Sequence, residues 1–234
     1  MRPFRAICFD LDNTLWDVWP VIRRAEEAMH AFLANRYPKV TATNTVETLR
    51  EARDRTALAF PDKSHDYTFL RLETLRALAR ASGYAETMAE QAFDVFIAAR
   101  NEVDLYEDVL PALDRLGRRY RLFTASNGNA DLARIGLAHR FERSVAARHV
   151  GALKPDPLVF CKVIEGTDLR IGEVVYVGDD PELDIEGARS AGMGAIWLNR
   201  TGAQWPIDIA PPADTVTSLA ELSDLLMIPD GSTN

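Results

Sequence analysis

Residues 5–15 read RAICFDLDNTL, and this stretch decides how the rest of the sequence is interpreted. Its first half is a short apolar run typical of a buried strand, which ends where Asp10 begins a polar turn. Similar apolar runs recur later in the chain, at residues 120–125, 144–147, 174–178 and 195–198. Because these runs alternate with helical patterns, the sequence predicts an α/β fold with a central parallel sheet flanked by helices.

Residues 17–102 differ from the rest, because no convincing strand pattern occurs among them. Apolar residues recur there at helical spacing, for example from Val21 to Phe32, and they predict about four helices. The sequence therefore predicts a core formed by residues 1–16 and 103–234, with an all-helical domain of residues 17–102 inserted after the first strand.

Several helix ends are predicted from local chemistry. Asn44 followed by Glu47 indicates a capping box at a helix start inside the insert. Asp156 and Asp180 each precede a proline, which is the pairing of an N-cap with proline at the first helical position. Gly192 suits the end of a helix.

The overall charge and the cysteines exclude several classes of function. A net charge of −8 argues against binding of nucleic acid or anionic membranes. Cys8 and Cys161 form no disulfide framework and no CxxC pair, and both are expected to be core residues. No signal-peptide pattern and no run of about 18 apolar residues occurs, so we expect a cytoplasmic protein.

Two aspartates follow the first predicted strand. Asp10 and Asp12 lie at the carboxyl end of that strand, which is the edge of a parallel sheet where ligands bind. Two carboxylates at this spacing can converge on one point, where one attacks and the other protonates a leaving oxygen. The alternative is a solvated turn whose aspartates cap the next helix.

A second acidic group follows the predicted strand at Val174–Gly178. Asp179 stands at the strand end, and Asp184 lies on the first turn of the following helix. Carboxylates from two strand ends form a hard-oxygen site suited to Mg²⁺. Asp180 is also explained by helix capping, and Glu182 by a surface charge near a helix N-terminus.

Two further segments offer groups that bind phosphate. Ser126 and Asn127 begin a short turn at another strand end, where a hydroxyl and backbone N–H groups can hold a phosphate oxygen. An ordinary Ser-Asn-Gly turn explains the same letters. Lys154 precedes a predicted helix between restraining prolines, although most lysines are solvated surface charges.

The order of these four segments resembles the haloacid dehalogenase-like hydrolase superfamily, in the subclass with a helical cap between its first two motifs. The resemblance covers nearly the whole chain and implies a Rossmann-like core with residues 17–102 as the cap. Within the family, the segments FDLDNTL and TASNGN look most like bacterial phosphatases acting on flavin mononucleotide or on 5-amino-6-(5-phospho-D-ribitylamino)uracil.

The resemblance implies a magnesium-dependent phosphatase that cleaves a small phosphorylated metabolite. Asp10 would be the nucleophile that forms an aspartyl-phosphate, and Asp12 the general acid and base. The metal would be held by Asp10, the backbone carbonyl of Asp12, and Asp179. Ser126, Asn127 and Lys154 would bind the phosphate.

Supporting roles are implied for residues around these groups. Asp184, Asp180 and Thr14 would orient the groups that bind metal and phosphate. Trp16, Trp19 and Arg23 follow the first motif and are candidates for the mouth of the site. Arg53 and Arg71 are further candidates in the cap, although packing or surface charge explains each of them as well.

Three other functions remain open at this stage. A phosphosugar mutase or other phosphotransferase would use the same residues but needs an acceptor held in the cap. A non-enzymatic protein that binds phosphorylated metabolites would keep the fold without turnover. A dehalogenase is disfavoured, because halide needs neither the proton of Asp12 nor the metal held by Asp179. We expect a monomer or a weak homodimer.

Overall fold

The computed structural model describes residues 4–227. These residues divide into two compact units. The first contains the residues up to Asp17, Asp104–Gly128 and the residues from Gly136 onward; the second contains Val18–Val103 and Asn129–Ile135. The sequence pattern gave no indication that Asn129–Ile135 joins the second unit. None of the helices in the described range is long and apolar enough to span a membrane.

The first unit is built on a parallel sheet of six strands. The strands are β1 (Ala6–Phe9), β2 (Arg121–Ser126), β3 (Arg143–Ala146), β4 (Val174–Gly178), β5 (Gly194–Leu198) and β6 (Asp214–Val216). Their order across the sheet is β3-β2-β1-β4-β5-β6. The predicted α/β, Rossmann-like fold is confirmed. β6 was not predicted, because it has three residues and only Val216 is buried.

Eleven α-helices occur within residues 4–227. They are α1 (Val18–Arg36), α2 (Pro38–Thr41), α3 (Val46–Ala59), α4 (Tyr67–Ala81), α5 (Thr87–Arg100), α6 (Val109–Leu116), α7 (Leu132–Ile135), α8 (Ala147–Val150), α9 (Pro157–Ile164), α10 (Gly187–Ser190) and α11 (Leu219–Met227). Short 3₁₀ turns occupy Pro61–Lys63, Ala138–Arg140 and Ile171–Glu173, and a wider π-type turn occupies Pro181–Glu186.

One face of the sheet packs against α9 and α10. Cys8 and Phe123 from the sheet contact Val159 and Phe160 of α9 in a fully buried core. Because both faces of β1 are buried, its sequence is a continuous apolar run rather than an alternating one. Cys161 is exposed, so the expectation that both cysteines lie in the core is wrong for this residue. Its position faces away from the apolar stripe of α9.

The predicted helix caps are confirmed in the first unit. The Asp156 side chain accepts a hydrogen bond from the N–H of Leu158. Asp180 accepts from the N–H groups of Glu182 and Leu183 at the start of the π-type turn. These carboxylates satisfy N–H groups that have no partner within the helix.

The predicted capping box at Asn44 is wrong. Thr45 is the N-cap of α3, because its side chain accepts from the N–H of Thr48 while the Thr48 hydroxyl accepts from the N–H of Thr45. The Asn44 amide instead donates to the carbonyl of Val40, and so it closes the preceding helix.

The second unit is all-helical and contains a buried charged cluster. Its apolar core includes Met29, Leu75 and Phe96. The buried carboxylate of Glu26 pairs with Arg50, lies 3.4 Å from Arg71, and lies 4.0 Å from Arg53. We call these four residues the Glu26 cluster.

Candidate active site

The carboxyl ends of three adjacent strands bring the predicted site residues together. Asp10 follows β1, Ser126 ends β2, and Asp179 follows β4. Because β1 lies between β2 and β4 and all three run parallel, these residues share one edge of the sheet. The candidate residues thus lie together at the edge of a parallel sheet where ligands bind.

Lys154 is the centre of a buried hydrogen-bond network. Its Nζ donates to Asp10 Oδ1 at 2.5 Å, to Asp184 Oδ1 at 2.6 Å and to the hydroxyl of Tyr176 at 2.9 Å. The Tyr176 hydroxyl in turn donates to the carbonyl of Ala125 at 2.7 Å. All three protons of the ammonium are therefore directed at named acceptors, which fixes the lysine side chain.

Burial and charge shift the pKa values of this network strongly. Burial raises the pKa of Asp10 well above its usual range; Lys154 opposes this shift, and Asp184 and Asp179 add to it. Burial alone would lower the pKa of Lys154, but Asp10 and Asp184 raise it above its usual value. The lysine therefore stays charged. Its one positive charge does not balance the negative charges of the neighbouring carboxylates.

Three carboxylates of the site can converge on one cation. Asp10, Asp179 and Asp184 each offer an oxygen, and these oxygens lie within 4.8 Å of one another. Burial, and then the charge of Asp184, raise the pKa of Asp179 to about 7. Hard oxygen donors with a surplus of negative charge fit Mg²⁺, which would relieve their mutual repulsion.

Gly178 allows Asp184 to approach the strand end. A Cβ added to Gly178 would lie 2.2 Å from Asp184 Oδ2 and 2.7 Å from its Cβ, so the Asp184 side chain would have to move. The same Oδ2 accepts a hydrogen bond from the N–H of Asp180 at 3.0 Å. The backbone N–H of Asp180 therefore holds the Asp184 carboxylate, and the predicted supporting role of Asp180 rests on this contact. The Asp180 side chain instead caps the π-type turn.

Asn127 ties the β2 turn to the backbone of Lys154. Its Oδ1 accepts from the N–H of Lys154 at 2.7 Å, and its Nδ2 donates to the carbonyl of Lys154 at 3.2 Å. Ser126 is buried, and its hydroxyl accepts from the N–H of Gly128 at 3.0 Å. The Asn127 amide therefore holds the lysine segment in place, which the prediction of direct phosphate binding did not anticipate.

Asp12 is half-buried and accepts a hydrogen bond from the indole of Trp16, with Nε1 2.8 Å from Oδ1. Trp16 is fully buried, so its predicted position at the mouth of the site needs correction. A buried indole N–H requires an acceptor, and the Asp12 carboxylate supplies it.

Trp19 and Arg23 lie on α1 of the second unit, where both are exposed. Arg53 and Arg71, the further cap candidates, belong to the Glu26 cluster of the same unit. Their proposed contacts with substrate stay predictions.

Thr14 of the first unit is buried, and its hydroxyl has no hydrogen-bond partner. Its carbonyl accepts two hydrogen bonds from Arg200, which also pairs with Asp108. The Thr14 backbone is therefore anchored, and the predicted orienting role of its side chain stays a prediction.

The sequence interpretation missed three residues that support the site: Tyr176, Trp197 and Arg200. Trp197 donates its indole N–H to the carbonyl of Asp179 at 2.7 Å. Tyr176 carried a usable signal, because a hydroxyl inside the buried run of β4 must find a partner. No such signal marked Trp197 or Arg200, because their hydrogen-bond partners lie 18 and 186 positions away in the sequence.

Comparisons with known proteins identify the family of the chain. A family described as haloacid dehalogenase-like hydrolase matches residues 4–192. The chain is 30% identical over 229 residues to the 5-amino-6-(5-phospho-D-ribitylamino)uracil phosphatase YigB of Escherichia coli (strain K12), covering 94% of this chain and 95% of that protein. It is 27% identical over 232 residues to N-acylneuraminate-9-phosphatase of Rattus norvegicus, covering 95% and 93%.

The solved structures give a second comparison. A 2-haloacid dehalogenase from Pseudomonas syringae pv. tomato DC3000 superimposes with a TM-score of 0.90 at 36% identity, covering 95% of this chain and 98% of that chain. The similar proteins thus carry two kinds of name, phosphatase and dehalogenase.

Proposed function

The chain belongs to the haloacid dehalogenase-like hydrolase family, and from this premise we propose that it is a phosphatase acting on small phosphorylated metabolites. The observation that carries the proposal is the cluster at the sheet edge. Asp10, Asp179 and Asp184 converge there around Lys154, with Asp12 two residues beyond Asp10. Such a cluster suits a reaction in which an anionic group of the substrate binds next to a carboxylate nucleophile.

The proposed reaction has two steps. An oxygen of the Asp10 carboxylate attacks phosphorus, and the bond between phosphorus and the ester oxygen breaks. Asp12 donates a proton to that oxygen, which leaves as an alcohol. Asp12 then accepts a proton from a water molecule whose oxygen attacks the phosphorus of the aspartyl-phosphate. Inorganic phosphate leaves, and the Asp10 carboxylate is regenerated.

The buried residues around Asp10 have separate tasks. Lys154, whose three protons are directed at protein acceptors, supplies positive charge beside the phosphoryl group as the transition state develops. The Ser126 hydroxyl binds a phosphoryl oxygen. Asn127 keeps Lys154 in position through its two backbone hydrogen bonds.

Asp10, Asp179 and the Asp12 carbonyl are the proposed ligands of Mg²⁺. When bound, Mg²⁺ supplies positive charge that screens the nucleophile from the phosphate dianion. Both oxygens of Asp184 already accept hydrogen bonds, from Lys154 and from the N–H of Asp180. We therefore assign Asp184 to orienting Lys154.

A dehalogenase is the second candidate, because a similar solved structure carries that name. Halide leaves without a proton, and a haloacid brings no phosphate dianion that needs screening by a metal. Asp12 and the surplus of carboxylates would then have no task. Their presence favours the phosphatase.

For the substrate, we propose a phosphate ester on a ribityl chain, as in flavin mononucleotide or the phosphorylated ribityl-uracil precursor. The similarity to YigB over nearly the whole chain supports this choice. The similarity to N-acylneuraminate-9-phosphatase supports a sugar phosphate as the alternative substrate.

The test is a release screen on the purified protein with Mg²⁺. Phosphate is measured over ribityl, nucleoside and sugar phosphates, and halide is measured over 2-haloacids. Phosphate from a single substrate supports a phosphatase and argues against a mutase that needs a second acceptor. Halide release without phosphate release would make the protein a dehalogenase. Tight binding of a phosphate ester with neither product would make it a binding protein.

A further inference from the structure

We propose that Trp16 is a positioning residue for Asp12: its indole N–H fixes the orientation of the carboxyl group that protonates the leaving oxygen. This inference rests on the proposed phosphatase activity. It starts from one contact, the hydrogen bond of 2.8 Å from Trp16 Nε1 to Asp12 Oδ1.

The position of Trp16 is fixed by its burial and its backbone contacts, not only by the bond to the Asp12 carboxylate. Trp16 is fully buried, and its carbonyl accepts a hydrogen bond from the N–H of Asn13 at 2.7 Å. Its backbone also forms bridges with Asp12 and with Leu105. The direction of the N–H is therefore set by the loop and its packing, and the half-buried carboxylate of Asp12 accepts from it.

The loop that carries both residues is itself tightly folded. Asn13 adopts a left-handed backbone conformation with φ of 61°, which an asparagine tolerates better than most residues. The N–H of Leu15 donates to the carbonyl of Leu11 at 2.8 Å, and the N–H of Tyr106 donates to the carbonyl of Leu15 at 3.0 Å. Asp12 and Trp16 thus face each other across a closed turn.

A fixed donor has a direct consequence for proton transfer. When Asp12 is protonated, the oxygen that accepts from the indole is the carbonyl-type oxygen, so the proton resides on Oδ2. The Trp16 bond would then determine which oxygen delivers the proton. Without it, the carboxyl group can rotate, and only a fraction of its orientations direct the proton toward the ester oxygen.

This role predicts an effect that depends on the leaving group. Nitrophenolate leaves well without a proton, whereas phenolate needs protonation more strongly. We expect Trp16→Phe to lower kcat/KM about tenfold more on phenyl phosphate than on p-nitrophenyl phosphate, the size expected for one intramolecular hydrogen bond. The two probes are nearly the same shape, so a change in packing affects both alike.

Two controls separate positioning from structure. Tyr120→Phe removes a hydrogen bond from another buried aromatic residue of the first unit, 2.7 Å to the carbonyl of Leu226. This variant should leave the ratio between the probes unchanged. In the Asp12→Asn background, adding Trp16→Phe should change the ratio no further, because the group that it positions is gone.

The outcomes decide the inference in either direction. Equal losses on both probes, with a folded Trp16→Phe protein, would show that the indole only packs. If Trp16→Phe does not fold, benzothienylalanine at position 16 keeps the shape without the N–H, and the same ratio is measured. An unmodified protein that releases no phosphate from either probe contradicts the proposed function itself, which is a separate result.

Discussion

The two units each contain a buried cluster of charged side chains, and the clusters carry opposite surpluses of charge. At the sheet edge of the first unit, the carboxylates of Asp10, Asp179 and Asp184 face the single ammonium of Lys154. In the second unit, the carboxylate of Glu26 faces three guanidinium groups. Carboxylates outnumber cations in the first cluster and guanidinium groups outnumber Glu26 in the second, where Arg53 also pairs with Asp54 at 2.9 Å.

The clusters differ in how water reaches the surplus charge. In the Glu26 cluster, the side chains of Arg50 and Arg53 are 42% and 32% exposed, so solvent screens two of the three positive charges. In the site cluster, Lys154 is only 4% exposed. A buried surplus of carboxylates is compensated by protonation or by a bound cation, whereas water screens the surplus of the Glu26 cluster.

Removal of the nucleophile should have the largest effect. Asp10→Asn keeps the shape of the side chain but removes the attacking carboxylate, so phosphate release should fall at least about 10⁴-fold. The variant should remain folded, because it relieves the repulsion among the carboxylates. Phosphate release and thermal unfolding measured on one preparation check both statements, and a rate within tenfold of the original protein would identify a different nucleophile.

Removal of the single carboxylate from the Glu26 cluster should act on stability. Glu26→Gln leaves three guanidinium groups without a buried counter-charge, and we expect a loss of about 3–5 kcal/mol in the free energy of unfolding. Glu51→Gln is the matched control, because it breaks an exposed pair with Arg55 and should cost less than about 1 kcal/mol. Urea unfolding measures both. Similar values for the two variants would mean that the buried cluster contributes no more than a surface pair.

A substitution that moves the Asp184 side chain without replacing it should lower activity less than removal of the nucleophile. Gly178→Ala places a Cβ within 2.2 Å of the Asp184 carboxylate and must move it away from Lys154. We expect kcat/KM to fall about 10–100-fold, the range for groups that orient a metal or phosphate site. In the Asp184→Ala background, the same substitution should add little. A full additional loss there would show that Gly178 acts through another contact.

The smallest expected effect is a dependence of metal binding on pH. Because the pKa of Asp179 is raised to about 7, its carboxyl group is protonated in the folded protein at pH 6 but ionised in the unfolded chain. In the metal-free protein, this group therefore stabilises the fold most at low pH, and that stabilisation is lost as pH rises toward 7.

Magnesium should reverse this trend, since it binds only the ionised carboxylate. The stabilisation by Mg²⁺ should be smaller at pH 6 than at pH 8 by about 1.4 kcal/mol, the free energy of removing one proton one unit below its pKa. Thermal unfolding with and without Mg²⁺ at both pH values measures the difference. Asp179→Asn should reduce this difference, and what remains belongs to Asp10, whose pKa is also raised. An equal gain at both pH values would exclude Asp179 as a ligand.

The sequence predicted the sheet and the edge that carries the site, because apolar runs and turn residues are local signals. The family resemblance also grouped Asp10, Lys154 and Asp179 in one site, but it did not predict the direct contacts among them. The hydrogen bond from Lys154 to Asp10 joins residues that are 144 positions apart. Tyr176, which also accepts a hydrogen bond from Lys154, lies in the middle of a strand. The burial of Trp16 was equally hidden, since it depends on packing within the folded loop and against Leu105.

The central place of β1 has a consequence for the order in which the protein assembles. β1 pairs with β2 on one side and with β4 on the other, at residues 121 and 174 onward. During synthesis, the four apolar residues Ala6–Phe9 must therefore wait for more than a hundred further residues before a strand partner exists. Over that interval the helices of residues 18–103 can form from local contacts. β1, which directly precedes the proposed nucleophile, is thus synthesised early but pairs late. Until its partner strands have been made, its apolar side chains can aggregate or bind chaperones.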